Sequence, residues 1–308
     1  VSLASSDYGE IEPLLQALVA RFAQEHVSFS LPSLRVDAFS VRLAGLVQAT
    51  RKSGLTFAPE AGSDRLRRVI NKNVTEEDLL ATAEAAYGAG WNRIKLYFML
   101  GLPPETDDDV AEIARLSRRV LGIGQRLRGG RAQVHVSTST FVPKPHTPFQ
   151  WLPLADLDTV ERRQQMLRER LRGRGLQFSW TAPTTTLLEA VLGRGDRRLS
   201  AVIEQAWRGG AVFDAWAEHF RPGVWEQAFR SAGMEMQALA QRERGRDEVF
   251  PWEHISVGVS RDYLEAERER AERGEPTPDC REGCRRCGVL EAFATQRRLA
   301  AKGVWQCP

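Results

Sequence analysis

The chain has 308 residues, of which 42% are hydrophobic, so it can form one large domain or two ordinary ones around a sizeable core. Its 43 basic and 40 acidic residues leave a formal net charge of +3, which demands no nucleic-acid partner. It contains no apolar run of the roughly 18 residues that span a membrane and no signal or transit peptide, so we predict a soluble, cytoplasmic protein.

Up to about residue 150, short β-prone runs alternate with amphipathic segments. The segment 11–22 repeats apolar residues at helical spacing, and Thr75 and Thr106 each begin an acidic capping-box pattern that predicts a further helix. This alternation predicts an α/β fold with a parallel sheet, open or curled into a barrel. The predicted strands are VSLAS (1–5), VSFSL (27–31), LTFAPE (55–60), RIKLYFML (93–100) and QVHVSTSTFV (133–142).

After Trp151 the pattern becomes mostly helical, with a charged helix at 160–175 and one short strand in GLQFSW. We therefore predict three regions: a strand–helix region at 1–151, a mostly helical extension at 152–250, and a Cys-rich tail at 251–308. Interleaved tryptophan and arginine in the extension are compatible with an RNA-binding surface. Charges of alternating sign favour tryptophans that pack against the rest of the protein.

The ends of the predicted strands are rich in glycine, proline and polar residues. Parallel α/β folds bind ligands at the carboxyl ends of their strands, so these loops predict a shared pocket. The plain alternative is that they are only turns.

Three motifs follow one another between residues 60 and 106. They are Glu60-Ala-Gly-Ser63, Asn71-Lys-Asn-Val-Thr75 and Gly101-Leu-Pro-Pro-Glu-Thr106. In this order they resemble the fourth and fifth β/α units of radical S-adenosylmethionine (SAM) enzymes. The nearest branch contains methylthiotransferases and cobalamin-binding radical SAM proteins. Together with segments similar to the second, third and sixth strands, the resemblance covers residues 1–151 and implies strands 2–6 of a partial, TIM-barrel-like (β/α)6 barrel.

The resemblance also implies an activity. Such enzymes pass one electron from a [4Fe–4S] cluster to SAM, which gives methionine and a 5′-deoxyadenosyl radical that abstracts hydrogen from the substrate. The branch implies a cobalamin that assists methyl transfer and an electron donor such as flavodoxin or ferredoxin. The substrate is unknown, with RNA and protein as candidate classes and no membrane partner.

The resemblance places SAM across the carboxyl ends of the strands. Carboxylates there suit the ammonium or ribose hydroxyls, cations suit the carboxylate of SAM, and glycine and proline suit the adenosine. Structural alternatives are that Glu60 caps a helix, Arg35 pairs with Asp37, and Lys95 is a solvated edge residue. The residues expected to bind SAM are Asp7, Arg35, Glu60, Lys95, Gly101 and Pro143.

All four cysteines lie near the carboxyl end of the chain. Cys280, Cys284 and Cys287 have the C-x3-C-x2-C spacing that leaves one iron of a [4Fe–4S] cluster open, and Cys307 supplies a fourth thiol. In the enzymes that the chain resembles, this loop follows the first strand. We therefore expect the catalytic cysteines and a cobalamin domain before Val1, and we expect this polypeptide alone to be inactive.

The tail thiols have three interpretations: a structural zinc or auxiliary Fe–S site, the SAM-cleaving cluster itself, or no metal. The zinc or auxiliary Fe–S interpretation rests on the clustering of the cysteines, because clustered cysteines in a cytosolic chain favour a metal site over disulfides. Two alternatives to a radical SAM enzyme stay open. One is a non-catalytic four-cysteine zinc module that binds RNA or protein, and the other is a different α/β-barrel enzyme with a structural metal.

Overall fold

The computed structural model describes residues 8, 10–22, 24–25, 27, 29, 36, 41, 44–46 and 54–300. The predicted strand at 1–5 and most of the one at 27–31 fall outside these residues, as do Asp7, Arg35 and Cys307. The chain forms two compact units. The first comprises Val1–Ser139 and Glu161–Trp180, and the second comprises Thr140–Val160 and Thr181–Pro308.

A four-stranded parallel sheet organises the first unit, with its strands in the order β1-β2-β3-β4. The predicted strands at 55–60 and 93–100 are confirmed at the same bounds, and the strand predicted at 133–142 ends two residues earlier. The fourth strand comes from the segment GLQFSW. The strands are β1 (Leu55–Glu60), β2 (Arg93–Leu100), β3 (Gln133–Thr140) and β4 (Leu176–Trp180). The predicted α/β class with parallel strands is confirmed.

Helices connect these strands, as parallel pairing requires. The two predicted capping boxes are confirmed: the Thr75 and Thr106 hydroxyls accept from the N–H groups of Asp78 and Asp109, whose carboxylates accept in return from the threonine N–H groups. In the described ranges, the α-helices with complete bounds before β4 are α1 (Ile11–Arg21), α2 (Asp64–Val69), α3 (Glu76–Gly88), α4 (Asp107–Arg128) and α5 (Leu157–Arg170).

One face of the sheet forms the core of this unit. Alternate residues of β1, β2 and β3 are buried completely and pack against the apolar sides of α3 and α4, around Tyr87 and Leu116. Burial of each such large side chain contributes about 1.5–3 kcal/mol. The sheet residues on this face include Phe57, Ile94, Leu96, Phe98, Leu100, Val134 and Val136.

The second unit is helical and has two apolar clusters, one around Val191, Val202 and Phe229 and one around Trp151 and Trp252. Its helices are α6 (Pro183–Arg194), α7 (Leu199–Arg208), α8 (Pro222–Ser231), α9 (Met236–Ala240), α10 (Arg261–Glu272), α11 (Val289–Ala292) and α12 (Ala294–Leu299).

The tryptophans predicted to pack inside the protein divide into two groups. Trp225 and Trp252 are buried, whereas Trp180, Trp207 and Trp216 are exposed by 42%, 64% and 60%. Packing therefore explains only part of the tryptophan content. Within the described ranges, every helix is too short or too polar to cross a membrane.

A buried carboxylate joins the turn after β1 to the loop after β2. Asp109, near the start of α4, accepts hydrogen bonds from Ser63 Oγ at 2.5 Å and from the Arg65 guanidinium, and its side chain is 5% exposed. The same carboxylate caps α4 by accepting from the N–H and hydroxyl of Thr106, each at 2.8 Å. We call these four residues the Asp109 joint.

The backbones at the joint are in close contact. A Cβ atom added at Gly62 would lie 2.5 Å from the Asp109 carbonyl oxygen and 2.6 Å from the Ile113 nitrogen. The turn is also held from within, because buried Arg67 donates to the carbonyls of Ala61 and Gly62. The turn and α4 therefore meet at a fixed distance.

Substitution of Gly62 by alanine tests this contact. We expect Gly62→Ala to lower the free energy of unfolding by about 1–3 kcal/mol, because backbone atoms cannot move as a flexible side chain does. Urea unfolding measures the change. The control is Gly122→Ala in α4, where nothing lies within 4 Å of the added methyl, so alanine should stabilise the helix by up to about 1 kcal/mol. Equal effects of the two substitutions would contradict a tight contact at Gly62.

The charge of Asp109 predicts a pH dependence. Burial alone would raise the pKa of Asp109, but hydrogen bonds from Arg65, Ser63 and Thr106 lower it to about 2. Ionised Asp109 thus contributes about 2 kcal/mol to the free energy of unfolding above pH 4. This contribution is lost as the pH falls from about 4 to about 2. We expect wild type and Asp109→Asn to differ less in their free energies of unfolding as the pH falls through this interval. Urea unfolding at each pH measures the difference.

The control for this prediction is Asp108→Asn, in the same turn of α4, because Asp108 is exposed. Its effect should stay within about 0.5 kcal/mol at neutral pH, as expected for a surface substitution. A stability gap for Asp109→Asn that is constant between pH 6 and pH 2 would show that its charge is not what holds the joint.

Candidate functional site

The second face of the sheet is polar, which is unusual for parallel strands. Parallel sheets are generally covered on both faces and their strands are apolar throughout. Here β2 and β3 alternate strictly between buried and half-buried or exposed positions. We call this surface the polar face. Its polar residues on the described strands include Thr56, Arg93, Lys95, Tyr97, Gln133, His135, Ser137, Ser139, Gln177 and Ser179. Such a face is suited to contact with water or a polar ligand rather than a second core.

Hydrogen bonds order the polar face across the strands. His135 Nε2 lies 2.8 Å from Ser179 Oγ, and the Tyr97 hydroxyl bonds that of Ser139. Burial lowers the pKa of His135, and the positive charges of Lys95 and Arg93 lower it further. The imidazole is therefore neutral at pH 7 and can donate or accept a hydrogen bond.

At the carboxyl end of β1, Glu60 has a backbone angle that is uncommon outside glycine, with φ at 68°. Its carboxylate forms an ion pair with Lys72, at 2.9 Å, and its side chain is 31% exposed. Lys72 belongs to the second motif of the resemblance. Backbone strain of this kind is retained where the surroundings enforce it, often at ligand sites.

At the carboxyl end of β2, Gly101 has φ at 78° and donates its N–H to Glu105 Oε2 at 2.7 Å. The Glu105 side chain is only 2% exposed and also accepts from Arg163 Nη1 at 2.8 Å. Burial raises the pKa of Glu105 to about 7, against the opposing effects of the Gly101 N–H and Arg163. Arg163 binds the Glu105 carbonyl as well, so one side chain from α5 fixes the whole loop.

Of the six predicted SAM-binding residues, the structure brings two to one edge of the sheet. Glu60 and Gly101 end neighbouring strands. Lys95 pairs in register with Thr56, whereas Glu60 pairs with Phe98, so Lys95 lies about 10 Å along β2 from the level of Glu60. Pro143 is buried and belongs to the second unit. The roles of Asp7 and Arg35 stay predictions.

The carboxyl ends of β1 and β2 fit a nucleoside ligand in two respects. They present a partly exposed carboxylate that can accept from ribose hydroxyls, and a glycine whose lack of a side chain permits close approach. They fit an iron–sulfur cluster less well, because the first unit contains no cysteine. We therefore derive no electron-transfer step from these residues.

The tail cysteines are not assembled into a metal site in this conformation. Cys280 and Cys284 are exposed, Cys287 is half-buried, and all three are free thiols. Across the described residues, no three Cys, His, Asp or Glu side chains are grouped closely enough to hold a metal ion. A local contact does shape the loop, since the Arg286 N–H donates to Cys284 Sγ at 3.4 Å. Metal binding by these thiols stays a prediction.

Most of the residues that hold the strand ends have no local sequence pattern that predicts their contacts. Asp109 was recognised only as a helix cap, although its other partners are 44 and 46 residues away. Arg163 and Glu105 are 58 residues apart, and no local pattern links them. The alternation of polar residues on β2 and β3 was a signal that could have revealed the polar face.

Comparison with known proteins gives two results. Residues 3–117 match the model of the Radical SAM superfamily. The chain is also 31% identical over 211 residues to an uncharacterized protein of Methanocaldococcus jannaschii. That similarity covers 65% of this chain and 45% of the relative, so the chain spans less than half the length of the protein it resembles. The part of the chain that matches the superfamily model contains β1, β2 and their strand-end turns.

Proposed function

We propose that this chain is the SAM-binding part of a radical SAM enzyme. The observation that carries the proposal is the pair of turns after β1 and β2, which the Asp109 joint holds together at one edge of a parallel sheet. Ligands of parallel α/β folds bind at this edge. The match of residues 3–117 to the Radical SAM superfamily supports the same function.

In this proposal the chain binds and orients the nucleoside. Glu60 accepts hydrogen bonds from the ribose hydroxyls or the ammonium of SAM, and its ion pair with Lys72 fixes the direction of the carboxylate. Gly101 leaves room for the ribose or adenine. On one-electron reduction SAM supplies methionine and a 5′-deoxyadenosyl radical. We assign no described residue to the electron transfer.

We further assign the chain to the branch of methylthiotransferases and cobalamin-binding radical SAM proteins. The order of the motifs at 60–63, 71–75 and 101–106 supports this assignment. The branch implies cobalamin-assisted methyl transfer, an RNA or protein substrate, and an electron donor such as flavodoxin or ferredoxin. Because the chain spans less than half of its relative, these are proposals about the whole protein.

Removing the charge of Glu60 tests the nucleoside site. We expect Glu60→Gln to weaken binding of SAM and of S-adenosylhomocysteine about tenfold or more, because hydrogen bonds to a charged acceptor contribute about 1.5–3 kcal/mol. Equilibrium dialysis of the full chain measures the two affinities.

The matched control is Glu77→Gln, an exposed glutamate in the first turn of α3. It should leave both affinities unchanged, and the thermal unfolding of the two variants should match that of wild type. Equal affinities for the wild type and Glu60→Gln would remove Glu60 from the site. Failure of the wild type to bind either ligand would refute the proposed function.

For the tail we propose a metal site formed by Cys280, Cys284 and Cys287, with Cys307 as a further ligand. Three thiols within eight residues support it, since this spacing suits zinc or an auxiliary Fe–S cluster. The loop would have to rearrange, because its thiols do not converge in the conformation described here. Gly283, between the first two cysteines, has open space around it, because nothing lies within 4 Å of an added Cβ, and so leaves the backbone room for that change.

Metal analysis after anaerobic reconstitution with iron and sulfide, and separately with zinc, tests the tail. We expect about one metal site per chain and its loss in Cys284→Ser, because two thiolates bind either group weakly. Retention of metal in Cys307→Ser would assign three thiolates rather than four. A colourless, zinc-only protein would favour the zinc-module alternative, and a wild type without metal would refute the site.

A further inference from the structure

The polar face has a cationic end that the nucleoside site does not use. Lys95 is half-buried on β2, and in the part of the chain that the structure describes no carboxylate forms an ion pair with it. At the level of Lys95 the described strands carry no aspartate or glutamate on this face, whereas Arg93, at the start of the same strand, adds a second cation. The local charge at this end of the face is therefore positive.

We infer that the Lys95 end of the polar face binds an anionic group of the substrate, either a phosphate or a carboxylate. The inference rests on the proposed function, in which the nucleoside binds at the strand-end turns. The substrate then binds at the positions of the polar face that lie farther from the carboxyl ends of the strands. It places the anionic group about 10 Å along the strands from Glu60, at the level of Thr56 and Lys95.

Neutral hydrogen-bonding groups continue the polar face from Lys95 across β3 and β4. His135 lies on the adjacent strand β3, where burial and the charge of Lys95 lower its pKa. On β4, Gln177 pairs with His135 in register, and Ser179 bonds the imidazole. The ammonium supplies one full charge, and the imidazole on the adjacent strand can supply a further donor. That pair suits an oxyanion, which can accept from both.

The electrostatics favour an anion at this position. A half-buried cation is screened less by water and salt than one at the surface, so its attraction for an opposite charge is stronger. The lysine and arginine also disfavour the protonated form of His135. An anion bound between Lys95 and His135 would offset this effect, so the histidine reports on occupancy.

The test is an NMR titration of the His135 ring in the full chain, with inorganic phosphate, succinate or sodium chloride at equal ionic strength. We expect phosphate or succinate, but not chloride, to raise the pKa of His135 by about half a unit or more. A response to phosphate alone identifies a phosphorylated substrate, and a response to succinate alone identifies a carboxylate. Equal responses to all three salts would overturn the inference.

A variant pair separates Lys95 from general charge. Lys95→Met should lower the affinity for the anion about tenfold, measured from the concentration that shifts the His135 pKa. Lys144→Met, at an exposed lysine of the second unit, should leave this affinity unchanged. An equal loss of anion affinity in the two variants would overturn the inference. If Lys95→Met does not fold, the wild-type titration with the three salts still decides.

S-adenosylhomocysteine separates this inference from the proposed function. If Lys95→Met loses that ligand as fully as Glu60→Gln does, Lys95 serves the carboxylate of the nucleoside ligand and the substrate inference is wrong. If the wild type binds phosphate at His135 but not S-adenosylhomocysteine, the anion site stands and the nucleoside site is refuted.

Discussion

The carboxylate of Asp109 is the constraint on which the arrangement of the candidate site depends. It accepts hydrogen bonds from the start of α4, from the serine that begins α2, and from Arg65. Without it, the turn after β1 and the loop after β2 would be linked mainly through strands that end before the functional residues. Gly62 permits this arrangement, because any larger residue would separate the two backbones. Glu60 and Gly101 are thus positioned by a residue that itself has no proposed contact with the ligand.

The sheet divides two tasks between its faces. One face is fully apolar and packs against α3 and α4, which stabilises the unit. The other carries lysine, histidine, tyrosine and serine on strands that would normally be apolar on both sides. This division forgoes apolar burial on one face and leaves polar groups available to a ligand. With a nucleoside at the strand ends and an anion near Lys95, the polar face would bind an elongated pair of ligands.

Local patterns predicted the elements but not their long-range contacts. The bounds of β1 and β2 and both capping boxes could be predicted because alternation and capping involve residues within four positions of each other. The partners of Asp109 and Arg163 could not, since pairs 44 to 58 residues apart have no sequence period. Lys95 was expected with Glu60 because both lie on predicted strands, and only the register shows the distance between them. The thiol spacing at 280–287 indicates a metal without fixing a conformation.

Amide hydrogen exchange with and without SAM is the most direct test of a nucleoside site at the strand ends. Peptides that cover residues 58–64 and 100–107 should exchange more slowly when the ligand is present, because binding restrains both turns together. Peptides that cover the tail at 279–288 should be unchanged. Protection confined to the tail, or no protection at either turn, would contradict a site built on the ends of β1 and β2.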